Sequence, residues 1–162
     1  MNPKTPPSTQ ADLRTVLSDV LGDLAFMVTE SSPTGPSSPG TVWMRGEIAY
    51  YGPRRGTLRC WCTRRFATRL GANLLGIEPE EGEAQLASED AVREFLNVLC
   101  GQLVTAWHGT ESVFDLTIPT VCESTDSPRV DDASSNACYF IVDGEPLYCT
   151  YVPESPSEEA GQ

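Results

Sequence analysis

No stretch of this sequence approaches the roughly 18 consecutive apolar residues of a membrane-spanning helix, so a helical span is excluded. The opening segment, Met1-Asn-Pro-Lys-Thr-Pro-Pro-Ser8, has no apolar core of a secretory signal, which makes the cytoplasm the expected location. Bases are scarce: 11 Lys and Arg stand against 23 Asp and Glu, a formal net charge of -12. Nucleic acid and anionic membranes are bound through basic patches, so no nucleic acid and no membrane partner is expected. The sequence also lacks a glycine-rich phosphate loop, a cluster with metal-ligand spacing and a Ser/His/Asp set. Its lone histidine, His108, reads as a helix-end residue rather than a catalyst. No self-contained active site is legible.

Disulfides are not expected either. The six cysteines are even in number, but without a secretory signal that count argues for free thiols. Cys60-Trp-Cys62 would place two thiols on one face of a strand, and with no second cluster to complete a metal site they read as small buried hydrophobes. Charge is unevenly spread: seven arginines lie from Arg45 to Arg69 with Glu47 the one acid among them, whereas Glu78 to Asp90 carries six acids and no base. Linear clustering leaves two readings open, a basic surface suited to an acidic protein and charges scattered over separate solvated elements.

What is present suits one domain over residues 10–152, between a polar, proline-rich tail at 1–9 and an acidic tail at 153–162, both expected to be disordered. Leu13, Val16, Leu17, Val20, Leu21 and Leu24 follow helical periodicity, and the helix is expected to run to Met27 or Thr29. The Pro/Ser/Gly segment at 31–40 reads as a flexible insert. Strands are expected at 41–51 and 57–62, joined as a hairpin through Gly52-Pro-Arg-Arg-Gly56. A helix over 63–75 follows, with Phe66, Leu70, Leu74 and Leu75 inward and Gly76 as its left-handed cap, and then an acidic loop. After a long helix from Ser88, whose hydroxyl is expected to cap it, to His108 or Gly109, a strand over 112–118 breaks at Pro119 and resumes over 120–123. A polar loop at 124–135 leads to strands at 137–142 and 145–152 around Asp143-Gly144, a pair that type I′ hairpin turns favour. The predicted fold class is α+β, a largely antiparallel sheet covered by helices.

The long helix carries the functional signal. At about 100° per residue, Phe95, Leu96, Leu99, Leu103 and Trp107 form one inward stripe, while Asp90, Glu94, Asn97 and Gly101 fall on the opposite face. Glu94 and Asn97, three apart, are neighbours on the outer surface and can act on one target. A mid-helix glycine costs about 1 kcal/mol relative to alanine, so Gly101 suggests close approach by something else. An amide can position a water and a carboxylate can hold a cation, so orientation is the chemistry this pair offers. An ordinary solvated helix face is the alternative.

Asp90-Ala91-Val92-Arg93-Glu94-Phe95-Leu96-Asn97-Val98-Leu99-Cys100-Gly101 resembles the long-helix motif of the CheC/CheX/FliY family of chemotaxis phosphatases at each of its fixed positions. Phe114-Asp-Leu-Thr-Ile-Pro-Thr-Val121 is similar to that family's strand with a Leu-Pro-x-Val-type end, and Leu70-Gly-Ala-Asn-Leu-Leu-Gly76 to the end of its preceding helix. The resemblance covers about residues 13–152 and implies a phosphatase that hydrolyses the phosphoryl-aspartate of a CheY-like response regulator. Glu94 and Asn97 would be catalytic, Glu94 pairing with the regulator's lysine and Asn97 orienting the attacking water. Asp90 and Gly101 would face the partner, which supplies the Mg²⁺; the chain needs no metal or cofactor of its own. CheC proteins carry two copies of the motif; one copy here places the chain nearer CheX, whose members are homodimers. Gln102-Leu103 departs from the Asn-Ala frequent in CheC-type members. The other reading of the same fold is a non-catalytic interaction domain that binds a regulator or another signalling protein.

Overall fold

The computed structural model describes residues 9–31, 41–125, 128 and 137–154. Of the tails expected at 1–9 and 153–162, residues 1–8 and 155–162 lie outside these, as do residues 32–40 of the insert expected at 31–40 and most of the 124–135 loop. The elements run α1 (Thr9–Ala25), β1 (Thr29–Ser31), β2 (Trp43–Tyr51), β3 (Arg55–Thr63), α2 (Arg64–Leu75), α3 (Gly82–Leu86), α4 (Ser88–His108), β4 (Asp115–Leu116), β5 (Thr120–Ser124), β6 (Ala137–Val142) and β7 (Glu145–Glu154). The strands form one antiparallel sheet in the order β1-β6-β7-β3-β2, and both β4 and β5 line the remaining edge of β2. The α+β class and the antiparallel sheet are as the sequence predicts.

Period-two alternation explains the sheet's two faces. Met44, Gly46, Ile48, Tyr50, Leu58, Cys60, Cys62, Cys138, Phe140, Val142, Leu147, Cys149 and Tyr151 point inward and are buried. They meet Leu13, Leu17 and Leu21 of α1, Phe66 and Leu70 of α2, and the inner stripe of α4 in one core. On the other face, Glu47 accepts hydrogen bonds from Arg45 (3.1 Å) and Arg59 (2.6 Å). The break between β4 and β5 falls at Ile118-Pro119, where proline has no N–H to donate. Asp143 (φ 48°) and Gly144 (φ 84°) turn the β6-β7 hairpin through the left-handed region, as a type I′ turn demands.

Several local expectations are corrected. The first helix stops at Ala25, short of Met27: the Phe26 N–H still reaches Gly22 O (3.1 Å) and the Met27 N–H reaches Leu21 O (3.1 Å), but Phe26 itself turns left-handed at φ 56°. That conformation costs an L-residue about 1–2 kcal/mol. The chain thereby leaves the helix, and Thr29–Ser31 pairs with β6 as an edge strand where no strand was expected. The acidic segment holds the short helix α3, packed through Ala84. Ser88 does not cap α4: Ala87 is the cap residue, already helical in backbone, and the buried Ser88 hydroxyl donates to Gln85 O (2.8 Å), tying α3 to α4. Leu75, expected inward, is 53% exposed at the last position of α2 before Gly76 turns left-handed. At the chain ends, Thr9 belongs to α1, and β7 continues through Pro153 and Glu154, opposite Gly56 and Arg55.

Candidate functional site on the outer face of α4

Packing fixes which way α4 faces. Ala91, Val92, Phe95, Leu96, Leu99, Cys100, Leu103 and Val104 are buried on its inner side, and each large apolar side chain among them contributes roughly 1.5–3 kcal/mol. The helix sits close on β2 because Gly46 has no side chain: a Cβ there would lie 2.5 Å from Leu96 Cδ1 and 3.3 Å from Val92 Cγ1. Phe66 of α2 meets Phe95 edge-on, with ring centroids 6.5 Å apart. At the other end Trp107 packs on Tyr151 and His108 stacks on Phe114. A rotation of α4 about its axis would break all of these contacts together.

The residues opposite that stripe are therefore turned to solvent. Asp90 and Glu94 are exposed, and Asn97 and Gly101 are partly exposed. Arg93 holds Asp90 (2.9 Å) and lies 3.7 Å from Glu89, one turn before it. Glu94 and Asn97 make no hydrogen bond or ion pair among the described residues, so an acceptor-only carboxylate and a donor-acceptor amide stand free side by side. Asn97 and Gly101 line one open depression of about 590 Å³ with Val16, Val98, Gln102, Thr105 and Ala106. A Cβ on Gly101 would meet nothing within 4 Å, so internal packing does not account for this glycine. Thr105 donates back to Gly101 O (3.0 Å) and keeps its hydroxyl against its own helix.

The structure thus brings Asn97 and Gly101 into one concavity and leaves Glu94 and Asp90 nearer the amino end of α4, outside its lining. Val16 of α1 is the wall that sequence reasoning missed. It is only half-buried, at the flank of a stripe in which every member reads as core.

Other candidate chemistry recedes. Burial raises the pKa of the Cys62 and Cys149 thiols and pushes that of Cys100 up to about 12, so these groups stay protonated and inert at neutral pH. None of the described cysteines is in a disulfide, and five of the six are buried. Burial, and then the Arg54 charge, lower the His108 pKa, which keeps the ring neutral against Phe114 and Tyr50. Five of the seven arginines from Arg45 to Arg69 have polar partners, and Arg64, Arg65 and Arg69 line one depression. Arg45 and Arg59 share Glu47 on the sheet, Arg64 pairs with Glu123, Arg65 with Glu145, and Arg69 donates to Asp143 O. Among the described residues no group of three or more His, Cys, Asp or Glu could hold a metal, and no helix is long and apolar enough to cross a membrane.

The family model described as chemotaxis phosphatase CheX matches residues 44–142. Among solved structures, a chemotaxis protein CheX from Desulfovibrio desulfuricans is similar, at 17% identity and TM-score 0.68, over 91% of this chain and 100% of that one. CheX from Vibrio vulnificus gives 18% identity and TM-score 0.68 over 91% and 100% of the two chains. A chain of the CheX-CheY-BeF3-Mg complex from Borrelia burgdorferi gives 18% identity and TM-score 0.64 over 90% and 97%. At these identities the likeness concerns the fold. Among curated proteins, none is similar in sequence at a significant level.

Proposed function

This chain belongs to the CheX family of chemotaxis phosphatases, and from that premise we propose that it hydrolyses the phosphoryl-aspartate of a CheY-like response regulator in the cytoplasm. One observation carries the reading: Glu94 and Asn97 stand unpaired on the outer face of a rigidly seated helix, beside space that Gly101 leaves open. The likeness to a CheX chain solved together with CheY supports the choice of partner.

In this mechanism α4 enters the regulator's phosphorylation site. Glu94 forms an ion pair with the regulator's lysine and sets the register of the two proteins. The Asn97 amide oxygen accepts a hydrogen bond from a water molecule and aims its lone pair at phosphorus. A new O–P bond forms in line as the bond from phosphorus to the aspartyl oxygen breaks, which regenerates the carboxylate and releases phosphate. Positioning and electrostatics dominate phosphoryl transfer, so a helix with neither nucleophile nor general base is sufficient equipment. The Mg²⁺ held by the regulator supplies charge neutralisation. Asp90 and Gly101 border the contact, Gly101 as clearance for the regulator's loops. The working form is a homodimer, and light scattering at micromolar concentration should return about twice the chain mass.

The test is the decay of phosphorylated single-domain regulators from the same genome, with wild type and with Asn97→Ala. Wild type should accelerate decay of at least one of them. Asn97→Ala should abolish the acceleration and leave binding largely intact, because water positioning acts in the transition state. Glu94→Ala should weaken both. Binding without acceleration would replace this reading with that of an interaction domain, and equal rates for wild type and Asn97→Ala would remove Asn97 from the mechanism.

A further inference from the structure

The segment joining α1 to β1 has a feature that folding alone does not call for. Phe26 is 84% exposed and Val28 68% exposed, while Met27 between them is buried. Phe26 also occupies the left-handed region, at φ 56°, where glycine is the usual residue. A bulky aromatic is therefore kept where it gains no burial and strains its own backbone, and strain of this kind gathers at functional sites.

The segment is nevertheless firmly held. The Ala25 carbonyl accepts a hydrogen bond from Asn73 Nδ2 (2.9 Å). The Val28 N–H reaches Asp143 Oδ1 (3.4 Å), and the Asp143 N–H reaches Val28 O (3.3 Å). Two apolar side chains are thus presented on a backbone pinned before and after them, which limits the ordering entropy that binding would cost.

Its position points to the occupant. Val16 lies in the depression with Asn97 and Thr105, and β1, which follows α1, pairs with the end of β6, the same end of the sheet from which α2 departs. Gly71 of α2 lies against Ala84 and Ala87, immediately before α4. Helix α1 therefore runs antiparallel to α4, and its carboxyl end, about 13 Å beyond Val16 at 1.5 Å per residue, reaches the level of the amino half of α4. Asp90 and Glu94 are on that half. Phe26 and Val28, just past that end of α1, therefore lie at the same end of the helix pair as Asp90 and Glu94.

We propose that Phe26, with Val28, is an apolar anchor that grips the receiver domain of the response regulator beside its phosphorylation site and contributes to the choice of regulator. The inference rests on the phosphatase reading of that same face. Phe26 does not touch the reacting atoms; it acts on affinity.

The experiment compares wild type, Phe26→Gly, Phe26→Leu and Val28→Ser on the regulator whose decay the wild type accelerates, with that receiver phosphorylated by acetyl phosphate and Mg²⁺. Phe26→Gly should be at least as resistant to urea as wild type, since glycine accepts the left-handed backbone, yet its KM should rise fivefold or more with kcat within twofold. Phe26→Leu should recover most of the loss, and Val28→Ser should raise KM in the same direction without touching the strained position. A Phe26→Gly protein with KM within twofold of wild type overturns the inference and leaves the phosphatase intact. Absence of acceleration by wild type on every receiver of the genome overturns both.

Discussion

Gly101→Ala separates what α4 needs for folding from what its outer face needs for work. Glycine in a helix interior is about 0.8–1.0 kcal/mol less favourable than alanine. At Gly101 that gain should be realised in full, because the new Cβ meets no heavy atom within 4 Å and the backbone is not in the left-handed region. The variant should therefore be more stable than wild type by about 1 kcal/mol, a rise in Tm of roughly 2–4 °C for a chain of this size. Urea unfolding followed by fluorescence of Trp43, Trp61 and Trp107 reads the change, and an unchanged m-value would keep the comparison within one two-state transition. The same methyl group enters the depression lined by Asn97 and Thr105. Turnover of the phosphorylated regulator should fall about tenfold, equivalent to roughly 1.4 kcal/mol of transition-state contact, and Gly101→Leu should fall further. Loss of stability in Gly101→Ala would refute the open-space account of this glycine. Undiminished turnover in both variants would refute the partner's use of the depression.

Gly46→Ala should act with the opposite sign: its Cβ would lie 2.5 Å from Leu96 Cδ1, so the buried Leu96 side chain or the helix itself must shift, and a loss of about 1–3 kcal/mol is expected in the same urea assay. A thiol reagent should titrate one cysteine in the native protein, the exposed Cys122, and all six in denaturant; rapid native reaction of more than one would contradict the burial of the others. Stability should fall as pH rises above about 9. The Cys62, Cys100 and Cys149 thiols have pKa values raised by burial in the folded state, so the unfolded chain ionises first, and each such group costs up to about 1.4 kcal/mol per pH unit until its own folded pKa is reached. A urea midpoint that stays flat from pH 8 to 10 would refute this.

Elements set by local chemistry were legible from residues alone. The hairpin turn at Asp143-Gly144, the Gly76 cap, the Pro119 interruption and the long helix over 88–108 each depend on a backbone rule that acts within a few residues. Elements set by distant contacts were not. Helix α3 spans only Gly82–Leu86, too short for periodicity to register, and is held by the approach of Gly71 to Ala84. Strand β1 has three residues and exists because β6 is there to pair with it. Ser88 has the chemistry of a cap, but α3 brings a carbonyl within its reach and removes the need for one.

The same division runs through the candidate site and explains why its parts differ in legibility. The side-by-side placement of Glu94 and Asn97 follows from the pitch of one helix and the apolar stripe opposite, so the sequence suffices to pair them. That they lack internal partners, and that Gly101 faces open space, depends on where α1 lies across the fold. Phe26 is the extreme case. Leu13, Leu17 and Leu21 all turn inward, whereas Phe26, at about 100° per residue, falls about 140° from Leu21 and off their stripe. The left-handed turn after Ala25 then carries it past the end of the helix, and nothing in the composition of Leu24-Ala-Phe-Met27 signals that turn. A residue that opposes both its burial preference and its backbone preference is where local and global demands conflict, and such conflicts tend to mark function more than folding.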